Sequence, residues 1–347
     1  MATTFKTLVL DKDVASTRTL LHEAIPLTGT IVSGTYSDLN IKNYAHGMFQ
    51  SVYDYPYLSS SANHIFDLTI GYSANSLMSS SANAQNAKKI NIYNQMAQVL
   101  VGYDATGSIR EFDQDGNLAA GGTKLKECVF INFSRLLTKD EIKKGSFILS
   151  ALTGGTPSAP VGALTISDYG AASTYLTNSP AGEYAPLYTS SATPTADSGV
   201  GLIYYQAGIA VLTASYMSGT FGAGTFGAPT DVHSTIDACF TGSQISSSCD
   251  GIRNRWKDCD FNNTTELNST IYFCRAASNE FNYSSNPTYL SGSKIRVKNE
   301  STDAPSAFIT TIGLYSEDNE LLAVAKISEP LKKDPSNELT LRVRLDY

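Results

Sequence analysis

The chain has 347 residues, 42% of them hydrophobic and 16% charged, with a formal net charge of −7. That length accommodates two or three domains, and the hydrophobic content supports a buried core and excludes global disorder. The acidic balance, with Lys and Arg scattered or paired with acids, argues against a nucleic-acid binder, because phosphate recognition needs clustered basic side chains. The charged share is well under the usual quarter, and Ser, Thr, Asn, Tyr and Gly take its place. Every charge buried at an interface costs desolvation energy, so such a surface suits a protein largely covered by neighbours. Twenty Tyr against one Trp favour strands and contact surfaces.

Three zones follow one another: a mixed β/α zone over 1–150, a Gly/Ser/Thr-rich β and loop zone over 151–237, and a C-terminal antiparallel β zone over 238–347. Lys6, Asp11, Lys12 and Asp13 leave no room for a signal-peptide core, so folding in a cytosol is expected. His64–Tyr72 reads as a strand. Residues 84–103 read as an amphipathic helix, with Ile92, Met96, Val99, Leu100 and Tyr103 on its buried face and Gly102 at its C-terminal cap. Asp113-Gln-Asp115-Gly116-Asn117 lacks the third acid and the closing Glu of a calcium loop, and reads as a hairpin with Asp115-Gly116 at its turn. Glu127–Phe133 is a second strand. Thr138 and Glu141 form a capping-box pair that predicts a short helix ending at Lys143-Lys144-Gly145.

In the second zone the strands are 163–167 and 201–213, and 189–197 reads as an exposed loop. Residues 198–230 carry no charge, but only 201–213 is convincingly apolar, short of the roughly 20 residues a membrane span needs. Buried strands are expected there instead. Gly219-Thr-Phe-Gly-Ala is repeated at once from Gly224, too short for a solenoid, and reads as a flexible loop that a partner could order through Phe221 and Phe226. The same stretch spells a dinucleotide-binding pattern, Gly222 to Gly227, without the helix and ribose-binding acid that chemistry requires.

The third zone opens with four of the five cysteines, Cys239, Cys249, Cys259 and Cys274; Cys128 lies on a strand. Their spacing fits no zinc site, and free thiols are expected. Lys294-Ile-Arg-Val-Lys alternates as a strand. Ala307–Tyr315 and residues 320–328 flank Ser-Glu-Asp-Asn as a hairpin with a four-residue loop. Residues 338–346 alternate without a break, placing Leu339, Leu341, Val343 and Leu345 on one face expected to be buried, and Thr340, Arg342, Arg344 and Asp346 on the other. Those four apolar residues and Tyr347 are the candidate assembly contacts.

His22, His46, His64 and His233 pair with no recognisable nucleophile motif, and the acid pairs and Asn-x-Ser/Thr triplets lie in bland contexts. No catalytic residue, cofactor or metal is expected, and the chain reads as a non-enzymatic assembly protein. The fold class expected is mainly β with a few helices (α+β), in antiparallel β-sandwich-like domains.

Several phrases resemble virion structural proteins of large contractile-tailed bacteriophages. They are Glu280-Phe-Asn-Tyr-Ser-Ser-Asn-Pro-Thr-Tyr289, Phe308-Ile-Thr-Thr-Ile-Gly-Leu-Tyr315, Asn319-Glu-Leu-Leu-Ala-Val-Ala-Lys-Ile-Ser328 and Leu341-Arg-Val-Arg-Leu-Asp-Tyr347. The Asn-Ile-Tyr-Asn-Gln-Met-Ala-Gln-Val-Leu helix and Phe130 to Gly145 are similar to earlier parts of such proteins. The resemblance covers about half the chain. It implies a tail baseplate component of wedge type, assembled in the host bacterial cytoplasm, whose partners are other virion proteins in a homo-oligomer or hetero-oligomeric ring. A neck or capsid decoration protein is the alternative, and a tail-associated glycan-binding or glycan-degrading protein the second.

Overall fold

The computed structural model describes residues 5–27, 38–119, 121–156, 159–189, 198–220, 235–298 and 300–347. The protein is mainly β with short helices, in two compact units: Leu21–Thr265, and Met1–Leu20 together with Glu266–Tyr347. The zone edges at 150 and 237 are changes of composition and do not coincide with these breaks.

β1 (Val14–Leu27) leads from the smaller unit into the larger one. The larger unit then holds β2 (Ile41–Asn43), β3 (Gln50–Tyr53), β4 (His64–Tyr72), helix α1 (Asn86–Leu100), β5 (Glu127–Phe133), β6 (Ile148–Thr156) and β7 (Ala159–Ser167). It continues with β8 (Gly182–Tyr188), β9 (Gly199–Tyr204), β10 (Ile209–Thr213), α2 (Ile236–Gly242) and α3 (Ile245–Arg253). β11 (Trp256–Ala276) carries the chain back to the smaller unit, which adds β12 (Ala307–Tyr315), β13 (Leu321–Lys333) and β14 (Leu339–Asp346).

The larger unit is organised by one antiparallel sheet in the order β11-β6-β7-β8-β9-β10-β5-β4-β3-β2. β4 and β5 lie inside it and read as near-continuous apolar runs because both their faces are covered. α1 packs on β4, and Gly71 makes the approach possible: a Cβ there would stand 2.7 Å from Lys89 O and 2.9 Å from Tyr93 N. Gly102, at φ +74°, ends the helix in the left-handed conformation, and its N–H donates to Ala97 O, as the sequence predicts.

The buried side of α1 differs from the expected one. Ile92 and Leu100 are buried, but their companions are Lys89, Tyr93 and Ala97. Met96 is only half-buried, and Val99 and Tyr103 are exposed. Burying Lys89 is possible because its ammonium donates to the carbonyls of Phe240 (2.5 Å) and Ser243 (2.8 Å) beside α2. Hydropathy alone would place that side chain in water.

Other expectations need the same kind of correction. The helix predicted to start at Thr138 ends there: the helical turn is Arg135–Thr138, and Glu141–Ile142 is a short strand paired with β11. The run 201–213 is two strands, β9 and β10, turned at Gly208, whose φ of +67° a side chain would resist. Lys294–Ile295 is all that remains strand-like of the 294–298 segment. Asp113 pairs with Lys124 across the two-residue ladder Phe112–Asp113 and Lys124–Leu125, and Gly116 has positive φ in the connecting loop, as a turn there requires. No disulfide joins the five cysteines, and burial pushes the thiols of Cys128, Cys249 and Cys259 well above their ordinary range.

One buried carboxylate has a measurable consequence. Asp168, just after β7, accepts from Tyr205 Oη (2.8 Å) and the amides of Gly145 (2.6 Å) and Phe147 (3.0 Å). Burial nevertheless raises its carboxyl to about 6, against the pull of those donors. The folded state therefore holds this proton more tightly than the unfolded chain. Its contribution to stability is complete below about pH 4 and is lost as pH rises through 6. The stability of the wild type relative to Asp168→Asn should grow by about 2 kcal/mol between pH 7 and pH 4. Paired denaturant titrations measure it, and a difference that stays flat with pH would refute the raised carboxyl.

Candidate assembly surface

The smaller unit is unusual in how little it buries. Among its described residues the buried apolar side chains are Ala276, Tyr289, Ala307 and Val343, whereas thirteen large apolar ones are exposed. A core this small contributes little of the stability that a domain of about 100 residues needs.

The unit consists of the second part of β11, flanked by β1 and β14, and a separate two-stranded hairpin of β12 and β13. β14 pairs with β11 from Ser269↔Asp346 to Ala276↔Leu339. The ladder is extended by two main-chain bonds between Asn268 and Tyr347 (3.1 and 2.9 Å). At its end the Ser269 hydroxyl and the Arg344 guanidinium hold the Asp346 carboxyl below its usual range. On the other flank Asp13 pairs with Arg275 (3.2 Å) and Arg18 with Glu266.

The alternation of β14 is as the sequence implies, but its apolar face is less covered than expected. Val343 is buried, Leu339, Leu341 and Leu345 are half-buried, and the Tyr347 ring is exposed. Phe221, Phe226 and His233 lie outside the described residues.

The hairpin was legible as strands, but its exposure was not read from the sequence. Phe308, Tyr315, Leu321, Leu322 and Val324 are 50–68% exposed, and Ile309, Ile312, Leu314, Ile327 and Leu331 are only half-buried. Adjacent apolar pairs such as Phe308-Ile309 and Leu321-Leu322 carry the signal, since a hairpin with one wet face would alternate. Its tip gathers Glu317, Asp318 and Glu320, and Lys326 and Lys332 lie nearer the base. The base itself is pinned by Lys333, which is buried and donates to Asn282 Oδ1 (2.7 Å), Asp334 O (2.9 Å) and Ser278 O (3.3 Å). A two-stranded hairpin alone is marginally stable in water, so anchoring at one end leaves the remainder in need of support.

No family model, curated protein or solved structure matches this chain. Its surfaces must therefore be read from their own chemistry. Among the described residues no group of three or more His, Cys, Asp or Glu side chains could hold a metal ion, and no helix is long and apolar enough to cross a membrane. Ser51, His64 and Asp67 do meet. However, Ser51 Oγ (2.5 Å) and His64 Nε2 (2.8 Å) both bond Asp67 Oδ1, so the carboxylate stands where a serine nucleophile would need the imidazole.

Proposed function

We propose that this chain is a structural component of a bacteriophage tail, of baseplate wedge type, acting through protein–protein contacts with other virion proteins in a ring. The observation that carries this reading is the smaller unit, with four buried apolar side chains among its described residues and an apolar hairpin standing in solvent. Such a unit gains its missing core from neighbours, and association then supplies stability that the isolated chain lacks. The phrases that resemble virion proteins include both hairpin strands and β14, the same elements that are under-covered. The low charge content supports it, because few ions need be stripped of water when these surfaces close.

The test is incorporation. Tyr315→Ser, Leu322→Ser and Val324→Thr together should leave the thermal unfolding of the larger unit unchanged and cut the copies per purified particle at least tenfold, measured by quantitative mass spectrometry. Absence of the wild-type chain from purified particles would overturn the proposal. A cryo-EM map of the intact virion that placed it on the neck or head would replace the baseplate by that location.

A further inference from the structure

The larger unit contains a cleft that the assembly reading does not use. Its floor is the sheet face carrying Asp67 and Thr69 of β4 and Phe130 and Asn132 of β5. Ile92, Gln95 and Met96 of α1 form one wall, and Met48 and Phe49, in the segment before β3, form another. The cavity measures about 270 Å³. Its position follows from the register: α1 covers the end of these strands where Gly71 faces Cys128 and leaves open the end where Asp67 faces Asn132.

Of the polar groups only the Asp67 carboxylate is held in place, and all three keep unused hydrogen-bonding capacity. Ser51, which pairs with Asp67 across β3 and β4, bonds with His64 to Oδ1 alone, so Oδ2 keeps its accepting capacity. Among the described residues the side-chain amides of Asn132 and Gln95 bond to no protein group. Phe49 is braced by Tyr44 (ring centroids 4.9 Å apart) and His46 (5.0 Å), which fixes one apolar wall. A carboxylate oxygen, two amides that each donate and accept, and flanking aromatic and aliphatic surface match a small molecule with neighbouring hydroxyls on one edge and C–H groups on its faces.

We propose that this cleft binds a single neutral pyranose ring. Vicinal hydroxyls would donate to Asp67 Oδ2 and exchange hydrogen bonds with the Asn132 and Gln95 amides, while the ring's C–H surface lies between Phe49 and Met96. The volume sits just under the range typical of drug-sized ligands, which suits one sugar ring and not a chain of them. The cleft belongs to the larger unit, so this binding does not depend on the smaller unit's contacts.

Saturation-transfer NMR on the full chain tests it, with methyl β-D-glucopyranoside, methyl β-D-galactopyranoside and N-acetyl-D-glucosamine as probes and n-butylammonium as a cationic control. At least one sugar should receive saturation. The signal should fall at least fivefold in Gln95→Ala, which alters an exposed side chain, and vanish in Met96→Trp, which fills the cleft. Circular dichroism melts confirm that both variants fold. Three results would each overturn the proposal: no transfer to any sugar, transfer undiminished in both folded variants, or preferential binding of n-butylammonium, which would make Asp67 an amine site.

Discussion

Removing residues 338–347 is expected to unfold the smaller unit and leave the larger one intact. The deletion takes away the whole ladder from Ser269↔Asp346 to Ala276↔Leu339 and the two Asn268–Tyr347 bonds beyond it. It also removes Val343, one of the four buried apolar residues among the unit's described residues, and three half-buried leucines. At roughly 1.5–3 kcal/mol per fully buried side chain, and half that for the leucines, the loss is about 4–7 kcal/mol. That is comparable with the entire stability of a domain. The bared edge of β11 would then be open to pairing with other chains, so aggregation should accompany the unfolding. Limited proteolysis with mass spectrometry should show residues 266–337 digested and a resistant fragment near 21–265. Resistance over both regions would refute the assignment of β14 to this unit's core. By contrast, Arg342→Ser lies on the exposed face and should change stability by no more than about 0.5 kcal/mol.

The second large effect is expected at Leu100, which has no exposed surface at the end of α1. Leu100→Ala should cost about 2–5 kcal/mol through lost burial and the cavity left behind. Leu100→Asp adds the desolvation of a charge and should abolish folding of the larger unit. The informative comparison is Val99→Asp. Periodicity placed Val99 on the same buried face as Leu100, whereas its side chain is 61% exposed. Val99→Asp should therefore shift the melting temperature by no more than 2 °C. A loss at Val99 equal to that at Leu100 would restore the face read from the sequence.

That pair also marks how far the sequence could be read. Strand positions were legible where apolar runs met turn residues: β4, β5 and β12 have the bounds expected, and β14 begins one residue later. The face of α1 was not, because its cladding includes Lys89, whose burial depends on carbonyls some 150 positions away. Thr138 and Glu141 satisfy a capping pattern, but the strand pairing of Glu141–Ile142 with β11 outweighs that local preference. The sugar cleft was invisible for a related reason. Asp67 and Asn132 become neighbours only once β4 and β5 are in register, and neither residue stands out in its own segment. On β14 the alternation was plain, but a pattern of apolar residues states which face turns inward and not whether anything covers it.

The division of the chain has a consequence for the order in which its parts can form during synthesis. The larger unit is one continuous stretch, so all its partners have left the ribosome once residue 265 has. The smaller unit joins residues near the beginning to residues more than 260 positions later: Lys6 pairs with Glu280 and Asp13 with Arg275. Closing so long a loop is slow and cannot begin until Arg275 and Glu280 are made, and the hairpin and β14 follow later still. The unit that carries the apolar hairpin is thus the last to mature. A nascent chain would present that surface only after the larger unit had already taken shape, which limits the time in which incomplete chains could capture one another.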